Sequence, residues 1–108
     1  MQKPETIFKQ RVLRDLRALP YVWAEKIQQQ AIRGTPDILA CICGVFVAIE
    51  LKKDAEARTD KMQDHTLNKI RAAGGRAFVT YPKAWAEHYR ELRIFVDQTA
   101  EYMQEAPE

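Results

Sequence analysis

Apolar residues recur every three or four positions at the start of the chain and every second position in its middle, and the two periods predict different elements. Phe8, Val12, Leu16 and Leu19 follow at spacings of four, four and three. This predicts a helix that begins near Pro4, where proline is tolerated in the first turn, and ends at Pro20, with Lys9, Arg11, Arg14 and Arg17 on its other faces. From Tyr21 to about Gln29, YVWAEKIQQ carries aromatic and β-branched residues in alternation, which predicts a strand that grows more exposed toward its end. Asp37 to Ile42 and Val45 to Lys52 are apolar runs separated by Cys43-Gly44, and a two-residue loop ending in glycine predicts a hairpin. Downstream, Gln63, Leu67 and Ile70 share one side of a second helix, Gly74-Gly75 ends it, and Arg76 to Tyr81 form a last strand. Lys83 to Gln104 read as a long helix with Trp85, Tyr89, Leu92, Phe95, Val96 and Tyr102 among its apolar positions. The order helix, strand, hairpin, helix, strand, helix is that of an α/β fold.

The hairpin carries a chemical consequence. Pairing Ile42 with Val45 brings Asp37 opposite Glu50 on one face of the sheet. Val45, Val47, Ile49 and Leu51 then point one way, and Phe46, Ala48, Glu50 and Lys52 the other. Two carboxylates facing each other beside a core repel, an arrangement expected where a cation or a shared proton compensates. Magnesium or manganese suits such oxygen ligands and also binds phosphate oxygens. The two acids alone fit equally a second reading, with Asp37 at a solvated strand start and Glu50 and Lys52 on the polar side of a half-buried strand.

Composition narrows the class. The 108 residues, 46% of them hydrophobic, suit one domain over 1–108. A net charge of +2 is too small to announce a nucleic-acid partner by itself, so local placement carries that question. Cys41 and Cys43, two apart, are poorly placed to bridge each other, and a lone C-x-C is a weak metal motif; a reducing compartment is the simpler reading. No apolar run approaches the roughly 20 residues of a membrane span, and MQKPETIFKQ lacks the apolar core of a signal peptide. The expected location is cytoplasmic, in a bacterium or a phage-infected host, or nuclear in a eukaryote. Neither repeats nor low-complexity segments interrupt the chain.

Pro36-Asp37, followed after thirteen residues by Glu50-Leu51-Lys52, resembles the metal-binding signature of the PD-(D/E)XK nuclease superfamily. RGTPD, the strand GVFVAIELK, the downstream Gln63 and the segment AAGGRAFVTY look more specifically like the small VRR-NUC branch of replication and repair nucleases. The resemblance runs from about Glu5 to Tyr81. It implies a restriction-endonuclease-like core: a central mixed sheet flanked by helices in the order αβββαβ, here with an added C-terminal helix. It also implies metal-dependent hydrolysis of phosphodiester bonds. Asp37 and Glu50 match the family's metal-binding acids, with the carbonyl of Leu51 as a further ligand, and Lys52 matches the lysine beside the attacking water. Glu5 matches an acid on the first helix. It precedes Phe8 by three and Val12 by seven, which puts it on the buried stripe; an acid favoured by the helix macrodipole is the plainer account of the same position. Gln63 matches the family glutamine, its plainer account being a polar residue at a helix start behind Thr59 as N-cap.

Lys26, Arg33, Lys53, Arg58 and Lys61 cluster in sequence around these positions and are the expected DNA contacts, with the polar loop DAEARTD approaching DNA. The basic residues of the first helix fit a solvated face as well as a DNA contact, and His65 reads as a surface or packing histidine. The apolar C-terminal helix either covers the sheet or adds a partner surface. Family analogy suggests a homodimer acting on branched DNA such as a Holliday junction. A non-catalytic nucleic-acid-binding module and a protein-interaction subunit are the alternatives, and metal binding separates the enzyme from both.

Overall fold

The structure, a computed structural model, describes residues 2–28 and 33–104. Helix α1 spans Pro4–Arg17 and buries Phe8, Val12, Leu13 and Leu16, the stripe expected from the spacing with Leu13 added. Strand β1 is Val22–Lys26, β2 is Ile38–Ile42 and β3 is Val45–Leu51. Helix α2 covers Lys61–Ala72, strand β4 Arg76–Thr80 and helix α3 Pro82–Gln104. The four strands form one sheet in the order β1-β2-β3-β4, antiparallel except for the parallel β3–β4 pair. This is the expected mixed sheet.

The β2–β3 register runs from Ile42 against Val45 to Ile38 against Ile49, as the two-residue loop predicts. Both loop residues, Cys43 at φ 50° and Gly44 at φ 81°, lie in the left-handed region, the requirement of a type I′ turn. Cys43 thus belongs to the turn and is buried while Cys41 is exposed on β2; the two free thiols have different surroundings. Strand β1 is shorter than predicted. Its last ladder partner is Lys26 against Ile38, and the Ile27 amide donates to the Asp37 carbonyl at 2.8 Å, where the pairing closes. Gln29, the predicted end, lies outside the described residues.

The faces separate as the alternation requires. Ile38, Ala40, Ile42, Val47 and Ile49 pack under α1 and α3 with Phe8, Val12, Leu16, Trp85, Leu92 and Val96. Fully burying such side chains contributes about 1.5–3 kcal/mol each, so this layer carries most of the stability. The long apolar stripe of α3 is thereby mostly spent on the sheet, and only Ile94 and Tyr102 of its large apolar residues stay exposed. The Trp85 Nε1–H donates to Asp15 Oδ2 at 2.8 Å and ties α3 to α1. Arg17 donates to the Ala24 carbonyl at 2.9 Å and pairs with Glu25 at 3.1 Å, which holds α1 to the edge strand. On the opposite face, α2 packs Leu67 and Ile70 over Ala48, Ala77 and Val79.

Asp60, not Thr59, caps α2. Its carboxylate accepts from the Gln63 amide at 2.8 Å while the Gln63 side chain accepts from the Asp60 amide at 3.1 Å, a reciprocal capping box. Thr59 instead donates to Asp64 within the first turn of the helix. At the start of RGTPD, Gly34 has φ +84°, and a Cβ there would come within 2.5 Å of the Met62 carbonyl oxygen of α2. The loop leading to Asp37 is thereby seated on the helix that carries Gln63. Gly34→Ala is expected to destabilise the fold by about 1–3 kcal/mol, read as a lowered midpoint in thermal or urea unfolding.

Candidate active site

Four of the five side chains expected to act come together where β2 begins, β3 ends and α2 starts. Asp37 lies one residue before β2, on the next rung of the ladder, opposite Glu50. Its Oδ2 accepts from the Leu51 amide at 2.8 Å, which fixes the carboxylate against the end of β3. Pro36 beside it is buried and restricts the backbone that delivers it.

Glu50 is only 2% exposed, an exceptional burial for an acid. One oxygen, Oε2, accepts from the Gln63 Nε2–H and lies 3.7 Å from Lys52 Nζ. The other, Oε1, is buried without any hydrogen-bond partner among the described residues. Burial first, then the proton-sharing contact with Asp37 and its negative charge, push the Glu50 carboxyl up to about 8, while the Lys52 ammonium pulls the other way. A carboxylate that is desolvated, faces a second acid and keeps one oxygen without a hydrogen bond is a group that could ligate a divalent cation.

Lys52 Nζ donates to Gln63 Oε1 at 3.1 Å. Gln63 therefore acts three ways: it caps α2, orients Lys52 with its oxygen and holds Glu50 with its amide. The site is anchored to a helix terminus through one side chain. Sequence reading missed Asp60, whose backbone amide and carboxylate fix Gln63; the signal was present as the D-x-x-Q spacing of a capping box. The strand end is held from the other side by β4, where the Lys52 amide donates to the Thr80 carbonyl at 2.9 Å.

Glu5 stands apart. It is exposed in the first turn of α1, beyond the buried stripe that begins at Phe8, contrary to the expectation from spacing. Glu5 nevertheless lines a cavity of about 440 Å3 with Phe8, Leu51, Lys52 and Lys53, so it shares a wall with the site without converging on the two acids. Among the described residues no group of three or more His, Cys, Asp or Glu side chains closes on one point. Asp37 and Glu50 could hold a magnesium ion, which retains several waters besides its protein ligands.

Lys26, Arg33, Lys53, Arg58 and Lys61 are all exposed, and none forms an ion pair or side-chain hydrogen bond among the described residues. They remain available to external anions. His65 is exposed on α2, away from the acids in the chain, as expected for a surface histidine.

The raised Glu50 carboxyl has a sign that can be tested. A carboxyl that binds its proton more tightly when folded makes stability fall as pH rises from the ordinary value of 4.5 toward about 8. Without divalent ions, Glu50→Gln is therefore expected to match the parent near the bottom of that window and to exceed it in stability at its top, by on the order of 2 kcal/mol. Chemical unfolding at several pH values in a chelator measures this; a constant difference at every pH would contradict it.

No family model matches the chain, and no curated protein matches it. A solved structure described as a VRR_NUC domain superposes with a TM-score of 0.66 over 98% of this chain and 100% of its own, at 20% sequence identity. The likeness extends over nearly all of both chains, and the chain has the fold of a VRR_NUC domain.

Proposed function

We propose that the chain is a magnesium- or manganese-dependent endonuclease that hydrolyses DNA phosphodiester bonds. The observation that carries this reading is the buried Glu50, one oxygen without a partner, set against Asp37 and flanked by a lysine that a glutamine holds in place. An unpaired buried acceptor is costly, and Glu50 Oε1 is relieved either by a proton shared with Asp37 or by a cation; the flanking Lys52 and Gln63 favour the cation. The fold likeness agrees with the reading.

Asp37, Glu50 and the Leu51 carbonyl would hold the ion, and Glu5 at the neighbouring cavity offers a further carboxylate. A divalent cation there supplies charge neutralisation at the phosphate and a lowered pKa for a bound water. Asp37 keeps its orientation through the Leu51 amide, so its carboxylate is presented at a fixed angle. Lys52, immobilised on Gln63, would direct its ammonium to the attacking water or to charge developing on the phosphate. Side chains fixed before substrate arrives need no reorganisation during reaction. The exposed Lys26, Arg33, Lys53, Arg58 and Lys61 would meet the phosphate backbone.

The substrate we favour is branched DNA such as a Holliday junction, cut by a homodimer whose two sites address symmetric strands. The setting that suits this is the cytoplasm of a bacterium or phage-infected cell. No described helix is long and apolar enough to cross a membrane.

Cleavage of a labelled four-way junction, a flap and a matched duplex with magnesium or manganese tests the proposal. Asp37→Ala and Glu50→Ala are expected to lose all detectable metal-dependent cutting, and Lys52→Ala to fall by about 10²–10³ in rate at unchanged DNA affinity. Gln63→Ala should be slowed less, because Lys52 and Glu50 lose orientation but keep their charges. Binding of DNA without cutting by the parent would leave a non-catalytic binding module.

A further inference from the structure

Helix α2 packs over β3 and β4 and reaches Leu39 of β2, and its cover stops before the next rung of that face. On the β1–β2 side one rung crosses three strands, with Trp23 paired to Cys41 and Cys41 paired to Phe46. Adjacent partners on a rung share a face, so the three side chains stand in a row. All three are exposed, Trp23 at 58% and Phe46 at 47%. Two large rings left open on a sheet that buries Trp85, Leu16 and Ile38 completely are a feature that folding does not require. Beside Phe46 runs a groove of about 370 Å3 against α2, with His65 and Lys69 on its helical wall and Ile70 and Gly75 at its floor.

This row lies on the face that carries Asp37 and Glu50. Asp37 and Cys41 are four residues apart along the same extended segment, about 14 Å at strand rise, or roughly four stacked nucleotides at 3.4 Å each. The Leu39–Ala48 rung between the row and the acids is packed under α2, so a strand reaching both would pass along the rim of that helix; exposed rings with a lysine beside them match the alternating faces and charges of a nucleic-acid strand. A second copy of the chain seated on the same rings would have to bury the Lys69 ammonium as well, at a cost in desolvation.

We propose that the Trp23–Cys41–Phe46 row is a stacking shelf for unpaired bases of the DNA strand that enters the site, with Lys69 and His65 beside its backbone. The assignment rests on the nuclease reading for its orientation. It adds to that reading a feature of the bound DNA: unpaired bases beside the cut, as an opened branch point supplies.

The chain has two tryptophans, and Trp85 is fully buried while Trp23 is open, so intrinsic fluorescence reports the shelf directly. The test uses the full chain carrying Asp37→Ala, without metal, titrated with single-stranded oligothymidylate roughly 12 nucleotides long and with a matched duplex of equal length. Stacking on the shelf predicts strong quenching by the single strand and little by the duplex. Trp23→Ala should abolish the quench and, combined with Phe46→Ala, weaken single-strand affinity by roughly tenfold or more in fluorescence anisotropy, with duplex affinity unchanged. Trp23→Phe keeps a ring and should keep affinity while losing the quench, which separates stacking from misfolding. Absence of quenching overturns the shelf, as does a Trp23 emission that ignores DNA and shifts instead with protein dilution, the signature of a second copy on these rings. Metal-dependent cleavage by the parent protein is read separately, so loss of the nuclease reading and loss of the shelf are distinguishable.

Discussion

The register of the β2–β3 hairpin is the constraint on which the rest depends. A two-residue turn with Cys43 and Gly44 both at positive φ allows one pairing, and that pairing sets Asp37 across from Glu50. A slip of one residue would turn Val47 and Ile49 out of the main core and carry Glu50 into it. The apolar layer under α1 and α3 therefore enforces the geometry of the acids on the other face. Core packing and site geometry are two consequences of one alternation.

The site draws its rigidity from secondary structure rather than from loops. Asp37 is locked by the Leu51 amide, Lys52 by the Thr80 carbonyl and Gln63, and Gln63 by the Asp60 cap. Each link borrows a group that a strand end or helix end would otherwise leave unsatisfied. The part left least compensated is Glu50, buried opposite Asp37 with Oε1 unpartnered although Lys52 and Gln63 reach its other oxygen. Such an arrangement costs stability unless a cation joins it, the expected signature of a site that accepts strain for chemistry.

The two ends of that sheet face differ in character. One holds the acids, Lys52 and Gln63 beneath the start of α2; the other exposes Trp23 and Phe46 beyond its cover. Helix α2 is only 12 residues long and lies over β3 and β4 as far as Leu39 of β2, so its length and position decide how much of the sheet remains open. The opposite face is closed by α1 and the 23-residue α3, with an opening at its edge where Glu5, Phe8 and Leu51 line a cavity. For the proposed nuclease this polarity assigns DNA to one side of the molecule and stability to the other.

Much of this was legible in the chain. The periodicities of Phe8, Val12 and Leu16 and of Val45 to Leu51, with the Cys43-Gly44 turn between the middle strands, determine the elements and the hairpin register, because they are local relations between residues close in sequence. The facing of Asp37 and Glu50 follows from that register. The end of β1, the exposure of Glu5, the capping of α2 by Asp60 and the open row of Trp23, Cys41 and Phe46 were decided only by the tertiary structure. Each depends on what lies opposite: a ladder partner for Lys26, the packing against the first turn of α1, competition between Thr59 and Asp60 for one amide, and the extent of α2 over the sheet. Alternation says which face a residue takes, and only the packed fold says whether anything covers that face.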